Sequence, residues 1–219
     1  AEPLPVGKDA DERIREDIER YDLKAEVADL ETKGYAVLPP GKAAPMDFIG
    51  RLRDAILTAA EDDESLNLGP QSGLGHTVFH LLPQDRVFEE ALMAPAPLTL
   101  VTYLLGYRAK LSQMTGLVKE SDAAPLAVHA DHSNKLPAPW PSLAQYCNIN
   151  WICSDYTREM GPLVLWPGSH RWGRPVPADL RMAQEHPEME VMEVDSGCSI
   201  GWNAASMGGS LLLEIQEVM

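Results

Sequence analysis

The residues in this chain best suited to chemistry are His129 and Asp131, separated by a single alanine. On an extended strand the side chains alternate between faces, so residues two apart point the same way. That would set an imidazole nitrogen beside a carboxylate oxygen. Such a pair is two-thirds of the face of two histidines and one carboxylate that holds a non-haem Fe(II) while leaving the opposite positions open. A chance polar pair on a surface strand is the competing reading of the same spacing.

Other groupings carry less. His76 and His80 stand four apart, a spacing that pairs zinc ligands on a helix, but Thr77, Val78 and Phe79 between them favour a strand or irregular segment. They read as part of a substrate loop or as plain structure. The acidic cluster Glu61 to Glu64 reads as a solvated helix end. Cys147 and Cys153 are six apart and match no metal-binding spacing. With Cys198 they make an odd number of thiols in apolar surroundings, which predicts reduced, buried cysteines rather than a disulfide framework.

The elements that must position these residues lie within 219 residues, a length that suits one large domain or two small ones and can bury a sizeable single core. Lys plus Arg number 18 against 33 Asp plus Glu, a net charge of −15 that disfavours nucleic acid and anionic membrane surfaces as partners. No apolar run reaches bilayer-spanning length and no charged-then-apolar leader opens the chain, so a cytoplasmic location is expected. Ala1 to Gly7 carries two prolines and no periodicity and reads as a loose terminus.

From Asp9 the spacing of Ile14, Ile18 and Tyr21 predicts a helix, and a second runs over Lys24 to Thr32, stopping at Gly34. Tyr35 to Leu38 is a short strand closed by Pro39-Pro40-Gly41. Phe48, Ile49, Leu52, Ile56 and Leu57 form the apolar stripe of a third helix beginning at Pro45 or Asp47, Asn67 to Gly75 is a glycine-rich loop, and Val87 to Met93 and Pro97 to Leu105 are helical. After Gly106 β-prone runs take over: Lys110 to Val118, Leu126 to Ala130, Ala144 to Ser154, Pro162 to Trp166, Met189 to Val194, Ser199 to Trp202 and Leu211 to Val218. The expectation is a single domain over residues 1–219. It is mainly β, with mostly helical elements in 1–106 packing on a jelly-roll core, a double-stranded β-helix of cupin-like form, in 107–219.

The most informative block is Gly161-Pro162-Leu163-Val164-Leu165-Trp166-Pro167-Gly168-Ser169-His170. Together with His129-Ala130-Asp131-His132 and the strand Asn148-Ile149-Asn150-Trp151-Ile152-Cys153, it resembles the phytanoyl-CoA dioxygenase family of Fe(II)- and 2-oxoglutarate-dependent oxygenases. The resemblance covers the chain from about Leu30 to Trp202. It implies that His129 and Asp131 are iron ligands. It also implies that a carboxylate at 131, where halogenating relatives carry a small residue, belongs to an oxygenating enzyme. By the same resemblance Trp151 lies near the 2-oxoglutarate site, with a core aromatic as the alternative, and Lys119 reaches the cosubstrate, with an exposed strand end as the alternative. His170 lies past its strand and is expected to be structural or to support a ligand rather than bind metal; His132 should point away from Asp131.

The resemblance also marks a gap. Relatives place a third histidine just after the position of Met207, where this chain has Gly208-Gly209, and beyond it an arginine that binds the cosubstrate's distal carboxylate. No arginine follows Arg181. Either residues are omitted between Met207 and Leu211, which the retained strand-like run Leu211 to Val218 favours, or iron and cosubstrate binding have been lost. The expectation is an Fe(II)- and 2-oxoglutarate-dependent dioxygenase acting on a small organic molecule. A non-catalytic jelly-roll binding protein is the alternative, and a cupin-like metal enzyme using His170 is a third reading. Substrate identity and oligomeric state are not legible.

Overall fold

Apolar spacing shapes the first half of the chain. The computed structural model, which describes residues 5–62, 75–119, 125–134, 136–182, 185–203, 208–209 and 214–216, begins with helices α1 (Lys8–Arg20) and α2 (Lys24–Thr32). Ile18 on α1, and Tyr21 just past its end, lean on the main core. Gly34, at a φ of 90° that glycine adopts without steric cost, turns the chain from α2 into strand β1 (Tyr35–Leu38). Helix α3 (Phe48–Asp62) buries Phe48, Leu52, Ile56 and Ala59, a stripe at helical spacing. After strand β2 (His76–Val78), Asp85 caps helix α4 (Arg86–Leu92) by accepting from the Val87 N–H at 2.8 Å. Helix α5 (Pro95–Leu105) opens on a proline, whose missing N–H costs nothing in a first turn, and ends at Gly106.

Among the described residues seven strands follow: β3 (Gly116–Lys119), β4 (Cys147–Trp151), β5 (Val164–Leu165), β6 (Glu190–Val191), β7 (Ser199–Asn203), β8 (Gly208–Gly209) and β9 (Glu214–Gln216). They assemble with β1 and β2 into three three-stranded sheets, ordered β1-β7-β4, β2-β3-β9 and β6-β5-β8. The pairings are antiparallel except β3 with β9.

Two expectations are corrected. The described residues are not mainly β: their helices run 13, 9, 15, 7 and 11 residues, whereas no strand among them exceeds 5. Strand-prone runs pair over only part of their length, and 3-10 turns at Asp131–Asn134, Arg158–Met160, Ser169–Arg171 and Ala178–Leu180 lie between them. Thus Lys110 to Val118 pairs only over Gly116–Lys119. Leu126 to Ala130 contributes a single bridge residue, His129, rather than a strand. The expected loop Asn67 to Gly75, but for Gly75 itself, and the stretches 204–207 and 210–213 lie outside the described residues.

The sheet β1-β7-β4 separates two cores by strand alternation. On one face Ala36, Leu38, Ile149 and Trp151 join the side chains of α2 to α5, with the Phe48 and Trp151 rings 5.0 Å apart. Such an aromatic pair adds about 0.5–1.5 kcal/mol beyond its buried area. On the other face Tyr35, Ile200 and Trp202 meet Ile152, Tyr156, Leu163, Leu165 and Met192. The Tyr35 hydroxyl donates to Glu190, tying β1 to β6 across that core. Val128, Ala130, Trp140, Val164, Trp166, Val176 and Met189 form a third cluster. The register places Asn148 opposite Trp202 and Asn150 opposite Ile200, on the face turned away from the helices.

The three cysteines are free, and burial pushes the Cys147 and Cys198 thiols up to about 12 and about 11. Among the described residues no helix is long and apolar enough to cross a membrane.

Candidate functional site

The segment carrying the His–Asp pair is pinned at both ends. The Val128 N–H donates to the Arg181 carbonyl at 2.8 Å, and the Ser133 N–H closes the turn onto the Ala130 carbonyl at 2.9 Å. The chain is extended at His129 but enters a 3-10 turn at Asp131. The two side chains therefore do not meet through strand alternation, as the sequence predicts, but through the bend between an extended residue and a turn. They meet nonetheless: His129 Nε2 lies 3.4 Å from Asp131 Oδ1, with the two side chains 29% and 31% exposed, open enough for a ligand to reach.

His129 Nδ1 lies 2.9 Å from the Ala127 carbonyl oxygen. A carbonyl only accepts, so this contact holds a proton on Nδ1, and the protonated ring donates from Nε2 to the carboxylate, a proton that a metal would displace to use the Nε2 lone pair. Imidazole ligands of metals are oriented in this way. The hydrogen bond with Asp131 raises the His129 pKa from 6.5, burial opposes it, and the Arg181 guanidinium also works against it. The second Asp131 oxygen, Oδ2, accepts from Asn148 Nδ2. Two residues on, Asn150 shares that face of β4 and is fully buried, and neither its amide nitrogen nor its amide oxygen has a partner among the described residues. Leaving such an amide unsatisfied costs about 1–3 kcal/mol, so Asn150 calls for a partner beyond the described protein groups.

Neither asparagine is singled out by sequence reasoning. The available signal was two amides at i and i+2 inside an otherwise apolar strand, Cys147–Trp151. Trp151 itself faces the other way. It is 2% exposed and packs on Phe48 in the helix-side core. Lys119 is the last residue of β3, and its side chain lies outside what the structure describes.

His132 is buried against Trp140 and Tyr146, with ring centroids 5.4 and 5.5 Å away, and does not join the pair. His170 sits in the turn after β5, where the Gly168 N–H donates to the Lys33 carbonyl at 2.7 Å. Its ring is set by the carbonyls of Glu31 and Lys33 at the end of α2, and burial first, then Arg171, lowers its pKa from 6.5. That seats His170 against the end of α2. His76 lies in β2, and His80 follows it at a φ of 56°, outside the strand.

Among the described residues no group of three or more His, Cys, Asp or Glu side chains converges as a metal site. Gly208-Gly209 forms β8 and pairs with Leu165 and Val164 of β5, so the strand that would follow Met207 is present without an imidazole. The groups present, an imidazole Nε2 whose lone pair is available once its proton is displaced and a carboxylate oxygen beside it, fit two positions of a divalent metal.

The phytanoyl-CoA dioxygenase (PhyH) family model matches residues 12–207. A dioxygenase, af480 of Aspergillus fumigatus, is 29% identical over 150 residues, 66% of this chain, and the chain spans only 48% of that relative's length. Solved structures share the fold. The non-haem α-ketoglutarate-dependent carbocyclase SnoK of nogalamycin biosynthesis matches with a TM-score of 0.65 at 19% identity, covering 84% of this chain and 76% of its own. HygX of Streptomyces hygroscopicus, solved with nickel and 2-oxoglutarate, matches at 0.67 and 16%, covering 89% and 82%. EctD of S. alaskensis, solved with 2-oxoglutarate and 5-hydroxyectoine, matches at 0.65 and 18%, covering 87% and 71%. With the family model spanning the helical layer, the His–Asp pair and the strands around it, this chain belongs to the phytanoyl-CoA dioxygenase (PhyH) family.

Proposed function

We propose that the chain is an Fe(II)- and 2-oxoglutarate-dependent oxygenase domain acting on a small organic molecule, with its three sheets as parts of one double-stranded β-helix. The observation that carries this reading is the His129–Asp131 pair, 3.4 Å apart, with Nδ1 committed to a backbone carbonyl and Nε2 turned to the carboxylate. Iron with 2-oxoglutarate and dioxygen supplies the oxidising power when bound. The chain's own part is to hold and orient. His129 and Asp131 offer two metal ligands, Asn148 fixes the carboxylate, and the buried Asn150 amide offers a donor and an acceptor to a polar ligand on the same face. A carboxylate at 131 fills a position that a halogenating site leaves to chloride, so oxygenation is the reaction class proposed. Small-molecule chemistry is supported by the relatives, one solved with hygromycin B and another with 5-hydroxyectoine.

The absence of an imidazole at Gly208-Gly209 favours a second reading, a binding protein that keeps the fold without competent iron. Anaerobic addition of Fe(II) and 2-oxoglutarate separates the two. The oxygenase reading expects a visible metal-to-ligand charge-transfer band that Asp131→Ala abolishes. A wild-type chain that shows no band and no iron binding would establish the second reading instead.

A further inference from the structure

The Asp131 carboxylate is held from two sides. Oδ1 faces His129 Nε2 at 3.4 Å, while Oδ2 accepts from the Asn148 side-chain amide. The two partners differ in rigidity. Asp131 belongs to a 3-10 turn, whereas Asn148 belongs to β4, laddered to the central strand β7 with Asn148 opposite Trp202. A donor on a sheet can therefore dictate the rotation of a carboxylate on a turn. A carboxylate can give a metal one oxygen or both, and an oxygen already accepting a hydrogen bond has less electron density to give.

We propose that Asn148 is a positioning residue that holds Asp131 Oδ2 out of the coordination sphere, so that Asp131 binds metal through Oδ1 alone and the adjoining position stays open to an added ligand. This rests on the reading above that His129 and Asp131 hold a metal. Without Asn148 the carboxylate is free to swing and to close on the metal with both oxygens, occupying the position an added ligand needs.

The test uses the full chain, stripped of metal and titrated anaerobically with Co(II), whose d–d absorption reports coordination number. The variants are Asn148→Leu, which keeps the side-chain size but removes the donor, and Asp131→Ala. Asn148→Ser, which shortens the side chain, replaces the leucine variant if that one does not fold. Asn148→Leu is expected to bind Co(II) about 10–100-fold more weakly, the usual effect of losing a hydrogen-bond partner of a ligand, and to show weaker d–d bands as the coordination number rises. Wild-type affinity and spectrum in that variant, alongside lost binding in Asp131→Ala, would overturn the role of Asn148 alone. Weaker binding with an unchanged spectrum would overturn the single-oxygen assignment. Absence of Co(II) binding by the wild type would overturn both the metal reading and this inference.

Discussion

At the residue scale, two histidines of one chain are pushed in opposite directions by their surroundings. His129 is raised by its carboxylate partner, and His170 is lowered by burial and by Arg171. The linkage follows from the signs. The His129 contribution to stability is fully present below its unfolded value of 6.5 and is lost as pH rises through the higher folded value. The His170 contribution is present above 6.5 and is lost as pH falls through the lower folded value. In the metal-free protein the imidazole C–H resonances should therefore titrate above 6.5 for His129 and below it for His170 by NMR. Reversal of that order would contradict the geometry given for both. The residues that carry the chemistry were only partly legible in sequence. His-x-Asp is a pattern of residue types, but the importance of Asn148 and Asn150 depends on what faces them across the interior.

At the element scale, the helical layer sits directly on β3. A Cβ added at Gly116 would lie 2.7 Å from Ile56 Cγ2 and 3.4 Å from Leu81 Cδ1. Ile56 Cγ2 is a branch methyl next to the α3 backbone and cannot swing aside without a change of χ1. At Gly201, by contrast, the added Cβ would lie 2.9 Å from Ile149 Cδ1, a terminal methyl that can rotate away. Gly116→Ala is thus expected to destabilise by about 1–3 kcal/mol and Gly201→Ala by less, measured by urea unfolding of each variant. Equal costs would mean that α3 does not press on β3 as described. The helices and β1 were legible from sequence because their signals are local: apolar period, with Gly34 and Gly106 as stops. The strands were legible as runs but not in extent, since ladder length depends on partners distant in sequence. The expected strand over Leu126 to Ala130 failed for that reason.

At the scale of the whole molecule, 33 acidic against 18 basic residues leave a strong negative self-repulsion. The ion pairs that offset it are mostly exposed, such as Lys24–Glu19 and Arg51–Glu90, and each contributes little. Raising ionic strength from near zero to about 0.15 M should therefore raise the melting temperature, because screening at about 8 Å weakens repulsion between separated carboxylates. A melting temperature that falls over that range would show that attractive pairs outweigh the repulsion.

The sequence by itself determined the helical pattern of the first half, the His129–Asp131 pair and the family to which the chain belongs. These are matters of residue type, local period and short motifs. The tertiary structure decided that Trp151 belongs to the helix-side core, that Asp131 reaches His129 from a turn, and that Asn148 and Asn150 face the interior. Alternation along a strand says which side chains share a face. Only the packing of distant elements on either side of the sheet says what each face meets.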